Sequence, residues 1–560
     1  MSLSVFFDKR LLLVFILLFI SINVSFGSNK ILPPSYDSIY FKQKQRLMYE
    51  LNQREALENQ SIIKAEDVPE LKKTNQLCFS IEKIHLSGIS ILSLKIQQII
   101  INPHQNRCLS INEIQTVAKT ITNYYIEKGY ITSQAFIPEQ NLAQHKLVIE
   151  IIEGRIESID IENSSSNLST MIYPDLVGRI LNLRDIEQGL EQLNHSTTSK
   201  YTIDIQPGKT NGYSRIVISR KSTKIPLSSQ FTIDNSGTQS TGKTLITGRL
   251  WLDSILGLGE QWSVSANTDT DFSHSHYNRY YVASVNVPYG YWSYRYQFYR
   301  NKTRQPFQST VYIYDYEGKN TNQQFDVSRL MYRDGKQRLT LQSSLKHKKA
   351  LTQLAQQTLT ISSPTLTSFS FSPQYSTILG QGYFTFNPAF ELGLSVFGSS
   401  PDYIAVDSPR THYRKYSLSS SYQYYFTNGM TYLTSFYGQY SPDNLYGIER
   451  VSIGGQYSVR GYQEQSLSGN RGLYWRNEIN TKIASTDIGQ LDFIAALDYG
   501  YIAGDRYHVV QNTLAGGAIG LSVIGNSKLS SQFLLSKPLY YPSDLTPDNW
   551  SMYWSVSLSI

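Results

Sequence analysis

Arg460, in the run Val459-Arg460-Gly461-Tyr462, is the residue whose chemistry demands most of its surroundings. It lies in a glycine-rich stretch from Ile453 to Glu478, inside a tyrosine-rich region whose residues alternate apolar and polar. A guanidinium removed from water needs a fixed carboxylate to offset its desolvation. The best candidate is Asp498, in Asp492-Phe493-Ile494-Ala495-Ala496-Leu497-Asp498-Tyr499-Gly500. That run reads as a strand, and an inward Asp among apolar neighbours is costly unless paired. At the rim of a barrel the same Asp would stand in water without a partner, and spacing alone leaves both readings open. The chemistry is that of an ion pair acting as lock or gate.

Bond-making chemistry finds little support. Gly237 to Thr244, GTQSTGKT, fits the phosphate-loop pattern G-x-x-x-x-G-K-T, but that loop requires a helix directly after the lysine. Leu245, Thr247, Arg249 and Trp251 instead alternate with Ile246, Gly248 and Leu250 as a strand, so the segment is expected to be a hairpin turn. No GxSxG elbow appears, and nothing singles out one of the nine histidines as a catalytic base. The two cysteines, Cys78 and Cys108, lack the CxxC spacing and neighbouring histidines of a zinc site. No metal, cofactor or enzyme activity is expected. In an exported chain an even cysteine count argues for one disulfide. Closing a loop of about 30 residues contributes roughly 3 to 4 kcal/mol in the chain-entropy model.

Export is read from residues 1–27. Lys9 and Arg10 precede an apolar run from Leu11 to Ile20, and Ser25-Phe26-Gly27 supplies small residues for cleavage. The run is short of the ~20 residues of a transmembrane helix, so a signal peptide is expected rather than an anchor. Only 17% of residues are charged and 42 are tyrosine. About a quarter charged is usual for a soluble domain, so something other than water covers part of this surface. The net charge of +7 comes from scattered basic residues. No basic patch interleaved with stacking aromatics points to nucleic acid.

The elements that must position Arg460 follow from periodicity. From roughly Pro226 to Ile560 the pattern is repeated hairpins. Tyr416, Leu418, Tyr422, Tyr424 and Phe426 share one face, Ser417, Ser419, Ser421 and Gln423 the other, and Asn428-Gly429 turns the chain toward Tyr432 and Phe436. The same period recurs at Tyr281, Ala283, Val285 and Val287, and at Met552, Trp554, Val556, Leu558 and Ile560. Strands of ~10 residues over this length predict a membrane barrel of about 14 to 18 strands. A soluble sandwich shares the period but has no use for so many aromatic outer faces.

Upstream, a pattern occurs twice between Leu77 and Arg220. The first copy reads as a strand at Phe79 to Leu86, a capping box at Ser110 and Glu113, and a helical stripe of Ile114, Val117, Ala118 and Ile121. Gly129 ends that helix, and strands follow at Tyr130 to Phe136 and Lys146 to Glu153. The second copy has a strand at Arg155 to Ile161 and a helix at Leu183 to Leu193. Strands at Lys200 to Gln206 and Arg215 to Ser219 complete it. Two α+β modules result, whose exposed strand edges are able to accept an extended peptide. Tyr36 to Gln60 is rich in helix formers, with a thin stripe of Leu47, Met48 and Leu51, and a linker follows it. The expected division is signal peptide 1–27, helix and linker 28–75, modules 76–153 and 154–223, and barrel 224–560.

These residues resemble the two-partner secretion transporters, the TpsB proteins of the ShlB/FhaC/HecB haemolysin secretion/activation type, across nearly all of the mature chain. Leu183-Arg184-Asp185-Ile186-Glu187-Gln188-Gly189-Leu190-Glu191-Gln192-Leu193-Asn194 with Ile205-Gln206-Pro207-Gly208 is similar to the family's second POTRA signature. Ala135 to Gln140 and Ile152 to Arg155 resemble the end of its first POTRA module, and the cysteine pair resembles that of the ShlB-type module. Asp234-Asn235-Ser236-Gly237 and Gly257-Leu258-Gly259-Glu260 resemble its first barrel hairpin. The resemblance implies a membrane β-barrel of about 16 antiparallel strands, two periplasmic POTRA modules, an N-terminal helix plugging the lumen, and a long sixth extracellular loop folded inside. It implies that Arg460, Gly461 and Tyr462 form the tip of that loop and bind the inner-wall motif of Asp498 and Gly500.

It also implies an outer-membrane pore whose partner is a secreted TpsA-type exoprotein. Arg184, Asp185, Gln188, Leu190 and Gln206 would serve partner binding, outer-membrane lipid would surround the barrel, and the barrel-assembly machinery would insert it. Two departures stand out: Ile560 ends the chain where such barrels commonly end in an aromatic, and Asn470 stands where the family often has Asp. The competing reading is an assembly factor for other outer-membrane proteins, which would be expected to carry five POTRA modules where two are visible.

Overall fold

The computed structural model describes residues 36–58, 77–222, 225–308, 312–403, 405, 407–486, 489–525 and 528–560. The expected signal peptide at 1–27 and the linker before Leu77 lie outside the described residues. Helix α1 spans Tyr36–Glu58.

In the first module, Lys146–Ile152 is the central strand, parallel to Lys83–Ser87 and antiparallel to Gln134–Phe136. Helices α2 (Leu94–Ile101) and α3 (Ile111–Glu127) cover it. The capping box is present: Ser110 Oγ accepts from Glu113 N, and Glu113 Oε2 accepts from Ser110 N at 2.7 Å. Ile114, Val117, Ala118 and Ile121 are all buried. The expected strand Phe79 to Leu86 is broken. Glu82 N and Lys83 N both donate to the His145 carbonyl, which turns the chain from one sheet into another. Cys78–Ile81 therefore pairs with Arg107–Ser110 instead, and the Cys78–Cys108 disulfide joins that ladder with a Cα separation of 5.4 Å. Tyr130 to Phe136 is strand only at Gln134–Phe136, because Tyr130 N and Ser133 N make turn bonds.

The second module repeats the plan. Tyr213–Ser222 lies between Arg155–Ile161, parallel, and Ser199–Pro207, antiparallel, so Ser199–Pro207 is an edge. Helices α4 (Ser166–Ile172) and α5 (Leu183–Asn194) pack beneath through Leu168, Ile172, Ile186 and Leu193.

The rest closes into a barrel of 16 antiparallel strands running from Leu227–Asp234 to Ser551–Ser559, plus a two-residue extension at Gln357–Thr358. First and last strands meet in register from Asp234 opposite Ser555 to Gln230 opposite Ser559. Asn235 extends this seam by donating to the Met552 carbonyl and accepting from Trp554 N. Ile560 exchanges backbone bonds with Ser229. Alternation sorts the side chains: Tyr416 points outward, whereas Ser419 and Ser421 are buried toward the lumen. Segment 237–244 is a hairpin turn leading into strand Leu245–Asp253, with Gly237 N bonded to the Lys243 carbonyl. The wall is uneven. Strands Trp292–Gln308, Ile313–Arg333 and Gln337–Leu354 have 17, 21 and 18 residues, against 8, 9 and 9 for Leu227–Asp234, Leu245–Asp253 and Gln261–Asp269.

Candidate functional site

The lumen holds two inserts, the loop between strands Met430–Tyr440 and Gly472–Thr486 and helix α1. The loop forms a small hairpin, Val451–Ile453 with Leu467–Gly469, whose tip carries Arg460. Its apolar residues Val451, Ile453, Val459 and Tyr462 pack on Tyr437, Tyr474, Ile502 and Leu514 of the wall. This inward apolar face explains why a largely polar loop folds back rather than extending into water.

Arg460 and Asp498 are brought together. Arg460 Nε and Nη2 donate to the two Asp498 oxygens at 2.6 and 2.7 Å, and Arg460 N donates to Oδ2 at 3.0 Å. Both residues are buried, so the pair is bidentate and shielded from water. The third guanidinium nitrogen, Nη1, reaches Glu478 Oε2 at 2.7 Å. Glu478 was missed in the sequence, although it shares the inward phase of Tyr474 and Arg476 on its strand. The approach is close because two wall residues lack side chains. A Cβ on Gly516, the register partner of Asp498, would lie 1.8 Å from the Arg460 carbonyl oxygen, and one on Gly500 would lie 2.7 Å from Val459 Cγ2. Gly461 adopts φ +101°, a left-handed conformation that favours glycine. Tyr462 OH lies 2.7 and 2.6 Å from the carbonyls of Ala515 and Tyr540, at a β-bulge where the ladder shifts register.

A second anchor holds the loop's root. Glu449 accepts from Lys348 and, at 2.6 Å, from Lys415, which also reaches Glu391 at 3.3 Å. Lys346 lies 3.0 Å from Glu391. This cluster was not read from the sequence; its signal was the inward phase of Lys346 and Lys348 on one strand. Asn470, buried in the same root, accepts from Leu445 N and donates to Asn444 and Asp505.

Helix α1 lies in the lumen, and its contact face is not the thin stripe of Leu47, Met48 and Leu51. Met48 is exposed, while Gln43, Glu50, Arg54 and Leu57 are buried, a heptad-like spacing of mostly polar residues. Gln43 donates to the Ser452 carbonyl at 2.9 Å, and Lys42 to that of Ile448 at 2.6 Å. Arg46 donates to Tyr474 OH at 2.7 Å and stacks on the Tyr437 ring. Lower down, Gln53 and Asn387 exchange amide bonds, Arg54 donates to Ser421 and Glu50 accepts from Ser419. The polar face suits a lumen lined by serine, asparagine and glutamine.

At the periplasmic mouth, α5 docks on the barrel turns. Asp185 accepts from Tyr291 OH, Gln188 and Glu191 accept from Arg333, and Gln192 donates to the Gly290 carbonyl at 2.6 Å. Asp253 accepts from the backbone of Thr197 and Thr198 at 2.9 and 3.0 Å. Burial pushes the Asp185 carboxyl up. Burial acts the same way on Glu191, yet Arg338 and Arg333 outweigh it and hold that carboxyl below its ordinary range. Asp185 and Gln188, expected to face a partner, therefore face the barrel. Arg184 pairs with Glu187 at 2.7 Å, and Leu190 packs half-buried on the module's core. Gln206 is exposed on the edge strand.

A closed 16-stranded barrel, with its own helix and loop inside and two small modules at one mouth, defines an outer-membrane transporter of the POTRA-bearing class. The family model described as haemolysin secretion/activation protein ShlB/FhaC/HecB matches residues 212–523, a ShlB-type POTRA domain matches 79–154 and a further POTRA domain matches 155–207. The chain belongs to this ShlB/FhaC/HecB family. It is 36% identical over 525 residues to the outer membrane transporter CdiB of Dickeya dadantii, covering 92% of this chain and 93% of that one. It is 30% identical to the hemolysin transporter protein ShlB of Serratia marcescens, covering 77% of each. The solved structure of CdiB from Escherichia coli superposes with a TM-score of 0.89 at 34% identity, covering 95% of this chain and all of that one.

Proposed function

We propose that this transporter exports one large TpsA-type exoprotein, of the haemolysin, adhesin or contact-dependent inhibition toxin kind, from periplasm to outside. The observation that carries this reading is a wide barrel whose lumen is filled by a helix held through polar, exchangeable contacts, above an edge strand fixed at its mouth. The partner's N-terminal region adds as an extended strand to Ser199–Pro207, with Gln206 beside it. Asp185, Gln188 and Glu191 serve by holding that edge at the pore. Helix α1 then leaves, and the partner passes as an extended chain. With no ATP in the periplasm, folding of the partner outside draws the equilibrium forward. The process requires no catalytic residue. The barrel reaches the membrane through the barrel-assembly machinery, with outer-membrane lipid around it.

The test is the amount of the exoprotein encoded beside this gene that reaches the medium, with and without this chain. Loss of that protein alone supports dedicated export. A general fall in outer-membrane proteins would instead mean an assembly factor. Arg460→Ala is expected to reduce export while the barrel still assembles, and unchanged export would remove the lock from the mechanism.

A further inference from the structure

The barrel's outer face carries a cationic patch that neither the lumen nor the modules use. On strand Trp292–Gln308 the outward residues are Trp292, Tyr294, Tyr296 and Phe298, followed by Arg300 and Lys302. On the preceding strand, Tyr289, Val287, Val285, Ala283 and Tyr281 lead to Arg279, and on the following ones Phe325 leads through Gln323 and Thr321 to Lys319, and Leu345 through His347 to Lys349. The outward phase is fixed by exposed Tyr281, Tyr296 and Phe325, against buried Gln297, Asn301 and Lys348 in the opposite phase. Eight to ten residues, at about 3.4 Å each and a tilt near 40°, rise roughly 20 to 26 Å, the height of the apolar band of such barrels. The cations therefore begin where hydrocarbon ends on the extracellular side, with Arg329 stacked on Trp292 at the other border.

Cross-strand register places these like charges side by side: Arg279 opposite Lys302, and Lys302 opposite Lys319. Arg300 and Lys349 both flank Thr321. Like charges directly opposite are destabilising unless an anion lies between them. One row further out, Arg304 is neutralised by Asp315 and Glu317. Within the patch, no ion pair to Arg279, Arg300, Lys302, Lys319 or Lys349 occurs among the described residues, and Arg300 Nε is buried without a hydrogen-bond partner.

We propose that this patch binds the phosphate groups of an anionic glycolipid of the outer leaflet, its acyl chains lying along Tyr281, Tyr296, Phe298 and Phe325. The geometry favours a lipid over a protein, since the cations crown the aromatic rows of Tyr281, Tyr294, Tyr296 and Phe325 on the outer wall of a membrane barrel. The inference is independent of the exported partner.

The experiment is native mass spectrometry of the full chain in detergent, titrated with a bis-phosphorylated glucosamine-disaccharide lipid and with its dephosphorylated form. The wild type is expected to retain the phosphorylated lipid at least tenfold more tightly than the dephosphorylated one. The variant R300Q/K302Q/K319Q/K349Q is expected to lose that tenfold preference, and Lys349→Gln alone to lose a few-fold. Neutralising lysines in the modules instead (K83Q/K146Q/K200Q/K209Q) should leave binding unchanged. Heat-modifiable mobility on gels checks that each variant is folded. Equal binding by wild type and quadruple variant, or equal binding of both lipids, would overturn the proposal. Displacement by orthophosphate would reduce the patch to an anion subsite and overturn it too. A quadruple variant that keeps the lipid but exports less would assign the patch to a protein.

Discussion

The two inserts in the lumen are held by different physics. The loop tip is fixed by Arg460, whose buried guanidinium makes four hydrogen bonds to Asp498, Glu478 and the Asn477 carbonyl and whose backbone N–H makes a fifth to Asp498, against glycines that admit its backbone. Helix α1 is held through hydrogen bonds to neutral hydroxyls, amides and carbonyls of the lumen. Each contributes about 0.5 to 1.5 kcal/mol net where both partners are neutral and about 1.5 to 3 where Lys42, Arg46, Glu50 or Arg54 takes part. A longer ion pair joins Lys42 to Glu449 at 3.7 Å. Removing one partner of a buried charge strands the other, which costs about 3 to 5 kcal/mol. Truncating Arg46 or Arg54 of the helix leaves only a neutral hydroxyl of the wall without that partner. The difference accords with the proposed function, in which the helix is the part that leaves and the loop the part that stays.

Breaking the clamp should therefore have the largest effect. Asp498→Ala is expected to destabilise the seated loop by about 3 to 5 kcal/mol, read as a lower unfolding temperature and as loss of export. A loop that stays protected in hydrogen exchange would equalise the two inserts. Next comes Gly516→Ala, which places a methyl on the Arg460 carbonyl and should cost about 1 to 3 kcal/mol. Gly248→Ala, whose nearest neighbour is 3.8 Å from the new Cβ, is the matched control and should be close to neutral.

Arg46→Ala should loosen only the plug, by about 1 to 2 kcal/mol. Single-channel recordings in planar bilayers would show roughly tenfold more open time for each 1.4 kcal/mol lost. Unchanged open time would mean the helix is held elsewhere. The smallest effect concerns the periplasmic dock. The folded-state pKa of Glu191 is depressed, so its contribution is present above the ordinary carboxylate value of about 4.3 and is lost as pH falls through the lower folded value. Glu191→Gln should flatten that acid limb in a cross-linking assay between α5 and the Tyr291 turn, leaving plug and clamp unchanged.

Much of this was legible in the residues. Period-2 alternation at Tyr416 to Phe426 gave both the barrel and its inside face, and the desolvation of Arg460 pointed to Asp498. The capping box at Ser110 and Glu113 located a helix to the residue. What escaped notice depended on partners distant in sequence. Glu478 and Gly516 matter only through the register that brings them beside Asp498. The polar heptad of α1 is uninterpretable until a polar lumen surrounds it, since helical faces are ordinarily sought among apolar residues. Asp185 and Gln188 sit in a motif whose chemistry suits a partner and a barrel turn equally well, and only docking distinguishes the two. Helix α2, with Ile96, Ile99, Ile100 and Ile101, carries a strand-like composition that tertiary packing overrides.

The uneven wall has a mechanical consequence. Strands roughly ten residues longer on one flank raise a parapet about 25 Å above the opposite rim. A polypeptide emerging from the mouth meets that parapet along three of the sixteen strands and lower strands around the rest. Under the proposed function, a partner that folds as it emerges would find the more open side over the short strands near the seam. Export through such a pore would then have a compass direction in the plane of the membrane, written into the unequal strand lengths.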